Sequence, residues 1–156
     1  MLKENSLNMI FAVDFDGTCV THEYPKVGKN IGAEVVLRKL VERGHKIILF
    51  TMRCKEQLEE AKQWFVDNGI TLFGVNENPT QHTWTSSPKP YAHTYIDDAA
   101  LGTPTMQIGT SRPFVDWALA ASDLGMIDGV FEANDLKDIF RELAKSYPEF
   151  YGYLCN

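Results

Sequence analysis

The chain contains little cysteine, and what it has is widely spaced. Its three cysteines, Cys19, Cys54 and Cys155, form no CxxC pair, and an odd number cannot close into a disulfide framework. This pattern excludes a disulfide-stapled fold and removes the usual evidence for structural zinc. We therefore expect a protein of a reducing compartment.

Long apolar runs are also missing from the sequence. The N-terminus has no charged region followed by a continuous apolar stretch, so no secretory signal is expected. No run reaches the length that a membrane-spanning helix needs. A cytoplasmic protein without a membrane partner is the resulting prediction.

Positive charge is in the minority, with 15 Lys and Arg against 21 Asp and Glu, which gives a net charge of −6. Binding to nucleic acid relies on clustered Lys and Arg, so this balance disfavours a nucleic-acid partner, although a local basic patch would override it. The 44% hydrophobic share is ordinary for a globular protein. With no repeat or linker, the composition predicts a single domain over residues 1–156.

Short apolar runs alternate with amphipathic segments over the first hundred residues. Four runs are typical of buried parallel strands: residues 9–13, 46–50, 70–75 and 91–96. Two segments repeat apolar residues at helical spacing: residues 31–41 and 55–68. This order predicts an α/β fold, a Rossmann-like three-layer sandwich with a mostly parallel central sheet.

The remaining segments carry weaker patterns. Residues 76–90 are polar and contain three prolines, which indicates a loop. A fifth strand is expected at residues 105–108, and helices at residues 113–124 and 135–144. The aromatic-rich residues 147–155 are expected to dock on their own domain, with a dimer contact as the alternative.

The segment Asp14-Phe15-Asp16-Gly17-Thr18 follows the first predicted strand. In an extended chain, residues two apart project to the same side, so both carboxylates can face one site while Phe15 points into the core. Gly17 allows a sharp bend and a close approach to phosphate. Asp14 can attack phosphorus as a nucleophile, and Asp16 can protonate the leaving oxygen and then activate water.

Crowded carboxylates at strand ends call for a cation, because like charges raise at least one pKa unless they are offset. We expect Mg²⁺, bound by Asp14, the backbone carbonyl of Asp16 and Asp97. For the phosphoryl group, Lys89 supplies positive charge and the Thr51 hydroxyl supplies a hydrogen bond.

Four further residues are expected to support the substrate or the site. Gly17 and Thr18 belong to the acidic segment itself. Asp98 is expected to hold a metal-bound water, to bond to Lys89 or to cap the following turn. Arg53 either contacts the substrate phosphate or has a structural part.

Taken together, this set resembles the haloacid dehalogenase-like (HAD) superfamily. The four motifs of that superfamily match DFDGT at Asp14, FTMR with Thr51, PK with Lys89, and YIDDA with Asp97 and Asp98. The resemblance implies a nucleophilic aspartate in the first motif, a Thr and a Lys that hold the phosphoryl group, and Mg²⁺ at the last motif.

The resemblance covers roughly residues 9–100 and also indicates a branch of the superfamily. A carboxylate at Asp16 is similar to the phosphatases, because the dehalogenase branch lacks that residue. Cap domains of the superfamily are inserted between the motifs, and the intervals at residues 18–46 and 53–89 are too short for one. The chain is therefore expected to be a capless member. The resemblance implies an open site that either admits macromolecular substrates or is covered by another subunit of a homo-oligomer.

The expected function is Mg²⁺-dependent hydrolysis of a phosphomonoester, either a small phosphorylated metabolite or a nucleotide. A non-catalytic phospholigand-binding protein and a polynucleotide 3′-phosphatase are the alternatives. A receiver-type phosphoacceptor is disfavoured, since receivers place the acidic pair on the first strand. Specificity is expected from the loops at residues 19–30 and 76–88, where His82 and Trp84 could stack on a base or sugar or serve as local packing anchors.

Overall fold

The computed structural model describes residues 8–155, without the side chain of Cys155. The first part of the chain forms β1 (Ile10–Val13), α1 (Ala33–Glu42), β2 (Lys46–Leu49), α2 (Lys55–Asp67), β3 (Leu72–Val75) and β4 (Thr94–Ile96). The second part forms β5 (Thr105–Met106), β6 (Phe114–Val115), α3 (Trp117–Gly125), α4 (Ala133–Ser146) and α5 (Pro148–Tyr151). Two 3-10 turns lie at Gln81–Thr83 and Gly152–Cys155.

The central sheet is parallel, as the alternation of strands and helices predicts. Within residues 8–155 it has four strands in the order β3-β2-β1-β4. Val13 at the end of β1 lies opposite Leu49 of β2 and Ile96 of β4. The carboxyl ends of these three strands therefore meet at one edge of the sheet, which is where ligands bind in open α/β folds.

The two faces of the sheet are covered differently. Phe11 and Val13 point into the main core, which the helices fill. Ala12 and Ile48, on the opposite face, pack against Ala92 in the segment that leads into β4. Helices, sheet and this segment make up the three layers of a Rossmann-like sandwich, and no large cap domain interrupts the described residues. Every helix in residues 8–155 falls short of the length and apolar character of a bilayer span.

Two expectations for the second half of the chain are wrong in detail. Residues 105–108 contain a strand, but β5 pairs antiparallel with β6 and lies outside the main sheet. The helix expected at residues 113–124 begins only at Trp117, because Phe114 and Val115 form β6 and Asp116 caps the helix. The Asp116 carboxylate accepts hydrogen bonds from the amides of Ala118 (3.0 Å) and Leu119 (3.1 Å).

The C-terminal segment docks on its own domain, as expected. Tyr151 of α5 is fully buried, and its hydroxyl donates to the Ile31 carbonyl at 2.6 Å. The same oxygen accepts from the amide of Trp117 at 3.2 Å. These bonds join the end of the chain to α3 and to the loop that precedes α1.

The hydrogen bonds of His45 stabilise the fold in a pH-dependent way. Its Nδ1 accepts from the Met9 amide (3.1 Å), and its Nε2 donates to the Val130 carbonyl (3.3 Å). Burial lowers the pKa of His45, so the folded state favours the neutral ring. The unfolded state therefore binds more protons, and this stability is present above about pH 6.5 and is lost as the pH falls through the folded pKa.

We expect the free energy of unfolding to fall more in wild type than in His45→Gln between about pH 7.5 and about pH 5.5. Urea denaturation at the two pH values measures the difference. The matched control is His82→Gln, at an exposed histidine, which should keep the wild-type dependence. Equal pH dependence in wild type and His45→Gln would contradict the assignment.

Candidate active site

Strands β1 and β4 bring three carboxylates together at the sheet edge. Oxygens of Asp14, Asp97 and Asp98 all lie within 4.8 Å of one another. The Asp14 amide donates to the Ile96 carbonyl at 3.0 Å, which fixes the end of β1 against the end of β4. The sequence predicts that Asp97 lies beside Asp14. In the structure the Asp98 carboxylate belongs to the same group.

The crowding of these carboxylates changes the acidity of Asp14. Burial, the neighbouring charge of Asp97 and the hydrogen bond to Asp98 raise the pKa of Asp14 to about 8. At neutral pH this carboxyl group therefore carries a proton for most of the time unless a cation is near. Three carboxylate oxygens are hard ligands of the kind that Mg²⁺ prefers, so the donor set fits that ion.

Asp98 organises the acidic segment through a small network. The Thr18 hydroxyl lies 3.1 Å from Asp14 Oδ2 and 3.2 Å from Asp98 Oδ1, and it accepts from the Asp98 amide at 3.1 Å. His22 Nε2 lies 2.8 Å from Asp98 Oδ2. Gly17 has a φ of 78°, and a Cβ there would come 2.0 Å from His22 Nε2, so this network requires glycine.

The sequence predicts that the carboxylates of Asp14 and Asp16 face one site, but the Asp16 side chain is paired with Arg53 instead. Its oxygens accept from Arg53 Nε at 2.7 Å and Nη2 at 2.8 Å, and it is outside the group of three carboxylates. The guanidinium lies over the ring of Phe15, 5.0 Å from its centroid, on the core side. The turn at Gly17 ends the extended chain, so the two-residue alternation no longer controls where the Asp16 carboxylate goes.

Of the two roles expected for Arg53, its position fits the structural one, because the side chain is not accessible to a phosphate. Its side chain is only 1% exposed. Besides Asp16, it donates to the carbonyls of Lys26 (2.7 Å), Pro25 (3.3 Å) and Gln57 (3.3 Å). One guanidinium thus joins the acidic segment, the loop at residues 19–30 and the first turn of α2.

Thr51 lies at the same sheet edge, just after β2. Its amide donates to Asn76 Oδ1 at 2.8 Å, and its hydroxyl accepts from the Arg53 amide at 3.1 Å. The preceding Phe50 amide donates to the Val13 carbonyl at 2.8 Å, which keeps this stretch beside β1. Thr51 is therefore positioned next to the strand that carries Asp14.

Lys89 is exposed and does not join the carboxylates. Its ammonium lies 5.3 Å from the centroid of the Tyr95 ring. Among the described residues it forms no ion pair with Asp14, Asp97 or Asp98, so the bond to Asp98 that the sequence allowed is not made. Asp97 instead caps the turn after β4, because it accepts from the Ala99 amide at 2.8 Å.

Two buried amide side chains, which the sequence did not single out, brace the segment that carries Lys89. Asn78 donates to the Tyr91 carbonyl at 2.9 Å and accepts from the Thr80 amide at 2.9 Å. Gln81 donates to the carbonyls of Ser87 and Lys89, both at 3.0 Å, and accepts from the Tyr91 amide at 2.7 Å. Residues 76–90, which the sequence predicts to be a loop, are therefore held in place by side-chain hydrogen bonds.

Comparison with known proteins supports the fold. No protein-family model and no curated protein matches the chain. A solved structure of a conserved protein coded by a locus of Bacteroides thetaiotaomicron is 34% identical, with a TM-score of 0.61. The similarity covers 75% of this chain and 89% of that one.

Proposed function

The chain belongs to the same family as the conserved Bacteroides thetaiotaomicron protein, and from its own site we propose a Mg²⁺-dependent phosphomonoester hydrolase of the HAD type. The observation that carries the proposal is the group of Asp14, Asp97 and Asp98 at the ends of two adjacent strands. Three carboxylates this close repel one another without a cation, which favours a site that binds one. The raised pKa of Asp14 supports the same conclusion.

The residues that would hold Mg²⁺ are Asp14, Asp97 and the backbone carbonyl of Asp16, with Asp98 beside them. The ion would supply positive charge for the phosphoryl oxygens and keep the Asp14 carboxylate ionised. Thr18 and His22 hold the Asp98 side chain in place through the bonds described above. Asp98 therefore has both a charge and a fixed orientation at this site.

In the proposed reaction, an oxygen of Asp14 attacks phosphorus, and the bond from phosphorus to the ester oxygen breaks. Asp16 gives a proton to the departing oxygen, which leaves as the alcohol, and an aspartyl phosphate remains. Water then attacks this phosphorus and gives a proton to Asp16, which releases phosphate and restores the Asp14 carboxylate. The Thr51 hydroxyl and the Lys89 ammonium stabilise the phosphoryl oxygens.

The ion pair with Arg53 sets a condition on this mechanism. The Arg53 guanidinium donates to both Asp16 oxygens, so neither of them is turned toward a departing ester oxygen. Asp16 can therefore donate a proton only after one of its oxygens leaves Arg53 and turns toward the ester oxygen. Lys89 must likewise move from Tyr95 toward the phosphate, which its flexible four-carbon stem allows.

Phosphate release from a panel of phosphomonoesters tests the proposal, and the panel includes nucleotides and a 3′-phosphorylated oligonucleotide. We expect release with Mg²⁺, none with EDTA, and a loss of at least about 100-fold in Asp97→Asn. The matched control is Asp123→Asn on α3, at an exposed aspartate, which should keep wild-type activity.

The panel also separates the alternatives. Ligand binding without phosphate release would replace the hydrolase with a phospholigand-binding protein. Release from the oligonucleotide alone would identify a polynucleotide 3′-phosphatase. For the compartment we propose the cytoplasm, because Cys19 and the exposed Cys54 are both free thiols.

A further inference from the structure

Exposed aromatic rings gather around Lys89. The aromatic pocket, as we call it, is a cavity of about 220 Å³ lined by Trp84, Thr85, Ser87, Lys89, Tyr91 and Tyr95. Trp84 is 64% exposed and Tyr91 is 44% exposed. Single exposed aromatic residues are ordinary on protein surfaces, but rings that cluster in a concave site mark a place where a ligand binds.

The aromatic pocket lies on the side of the sheet to which Asp14 projects. Val13 and Phe15 both point into the main core, so Asp14 between them projects to the opposite face, together with Ala12. Tyr95 is on that face too, and its position in β4 is directly opposite Ala12. The wall of the aromatic pocket thus adjoins the strand that presents the nucleophile.

A second aromatic residue extends this wall toward the carboxylates. Phe50 follows β2 beside Asp14, and its ring centroid lies 6.2 Å from that of Tyr95. Trp84 and Tyr91 meet edge to face, with centroids 5.7 Å apart. The Tyr95 ring thus contacts Phe50, which lies beside Asp14, and it also contacts Lys89, whose ammonium is 5.3 Å from the Tyr95 centroid.

Hydrogen bonds hold the backbone of the segment that carries the aromatic pocket. Both buried amides described above, Asn78 and Gln81, bond to the backbone of Tyr91, and Gln81 also bonds to that of Lys89. The Tyr95 hydroxyl donates to the Pro90 carbonyl at 2.6 Å, which ties β4 to the same segment. These bonds lower the ordering cost of binding, because the backbone of Lys89 and Tyr91 and the side chain of Tyr95 already hold their positions.

We infer that the aromatic pocket binds the leaving group of the substrate, and that the substrate is a phosphomonoester whose alcohol carries a planar aromatic ring. This inference rests on the proposed function. The Lys89 ammonium and Asp14 fix the phosphoryl group, while the ring stacks on Trp84 and meets Tyr91 at its edge. A cavity of about 220 Å³ suits one ring system rather than a large ligand.

Two matched substrate pairs test the inference. Adenosine 5′-monophosphate carries a base where ribose 5-phosphate has a hydroxyl group, and benzyl phosphate carries a planar aromatic ring where cyclohexylmethyl phosphate has a saturated one. We expect the planar member of a pair to have a kcat/KM at least about tenfold higher, as stacking of one base predicts. A preference in both pairs assigns any planar ring, and a preference in the first alone assigns a nucleotide.

Trp84→Ala should bring the ratio within each pair close to one, and Trp84→Phe should keep most of it. The matched control is Tyr153→Ala, which removes an exposed ring elsewhere and should keep the wild-type ratio. Equal kcat/KM within both pairs in wild type would overturn the inference and leave hydrolysis standing.

Tryptophan fluorescence tests the aromatic pocket even without turnover. Of the three tryptophans, Trp64 and Trp117 are buried, so Trp84 is the one that a bound ring can quench. We expect quenching by adenosine 5′-monophosphate but not by ribose 5-phosphate. If phosphate release fails for every substrate while quenching persists, the proposed function falls and the aromatic pocket remains. Absence of quenching overturns the aromatic pocket itself.

Discussion

Replacing Asp14 with Asn will lower phosphate release by on the order of 10⁵-fold, since an amide cannot form the covalent phosphoryl intermediate. The substitution keeps the shape of the side chain and removes the negative charge that it would carry beside a bound cation. Asp14 already carries a proton for most of the time at neutral pH, because its pKa is raised to about 8. The variant should therefore be as stable as wild type in EDTA, so that activity is lost without loss of fold.

Acid quenching during turnover of a ³²P-labelled substrate measures the intermediate directly. Wild type should yield a labelled protein whose label is released by hydroxylamine, as for an acyl phosphate, and Asp14→Asn should yield none. Asp123→Asn, with an exposed carboxylate removed from α3, should be labelled like wild type. A label that persists in Asp14→Asn would place the nucleophile elsewhere and contradict the mechanism.

Much of the fold could be predicted because its signals are local. Buried parallel strands consist of apolar runs, and their order with helices determines which ends converge. The positions of Asp14 and Asp97 at strand ends follow from that order alone. The start of α3 could not be found this way, because Phe114 and Val115 suit either state and Pro113 suggests a helix start. Pairing with β5 decided the outcome.

The rest of the site depends on partners that are distant in sequence. Arg53 is 37 residues from Asp16, and His22 is 76 residues from Asp98. No periodicity links such pairs, since each bond requires two loops to be folded first. Asn78 and Gln81 could not be identified from the sequence for a related reason. A buried amide stabilises a segment only through hydrogen bonds to the carbonyls that surround it in the fold. Strand ends are encoded locally, whereas the orientation of the side chains on them is not.

Arg53→Met should lower the free energy of unfolding by about 3–5 kcal/mol, the usual cost of breaking a buried ion pair from one side. The change leaves the Asp16 charge without its partner and removes donors from three backbone carbonyls. For a domain of this size the melting temperature should fall by roughly 10 °C. The matched control is Arg141→Met, whose 77% exposed side chain lies 3.8 Å from Asp138 and should matter by less than about 1 kcal/mol.

A double-mutant cycle separates the ion pair from the packing of the long side chain. Asp16→Asn alone leaves the buried guanidinium with only the longer ion-pair contact to Glu60, at 3.8 Å. The double variant with Arg53→Met removes the charges of Asp16 and Arg53 together. We expect the loss in free energy of unfolding of the double variant to be smaller than the sum of the two single losses, by about 1–3 kcal/mol. Arg53→Lys keeps the charge but loses the planar guanidinium group, so its free energy of unfolding should lie between those of wild type and Arg53→Met. Strictly additive losses would show that Arg53 stabilises the fold through its carbonyl contacts and leaves Asp16 free for proton transfer.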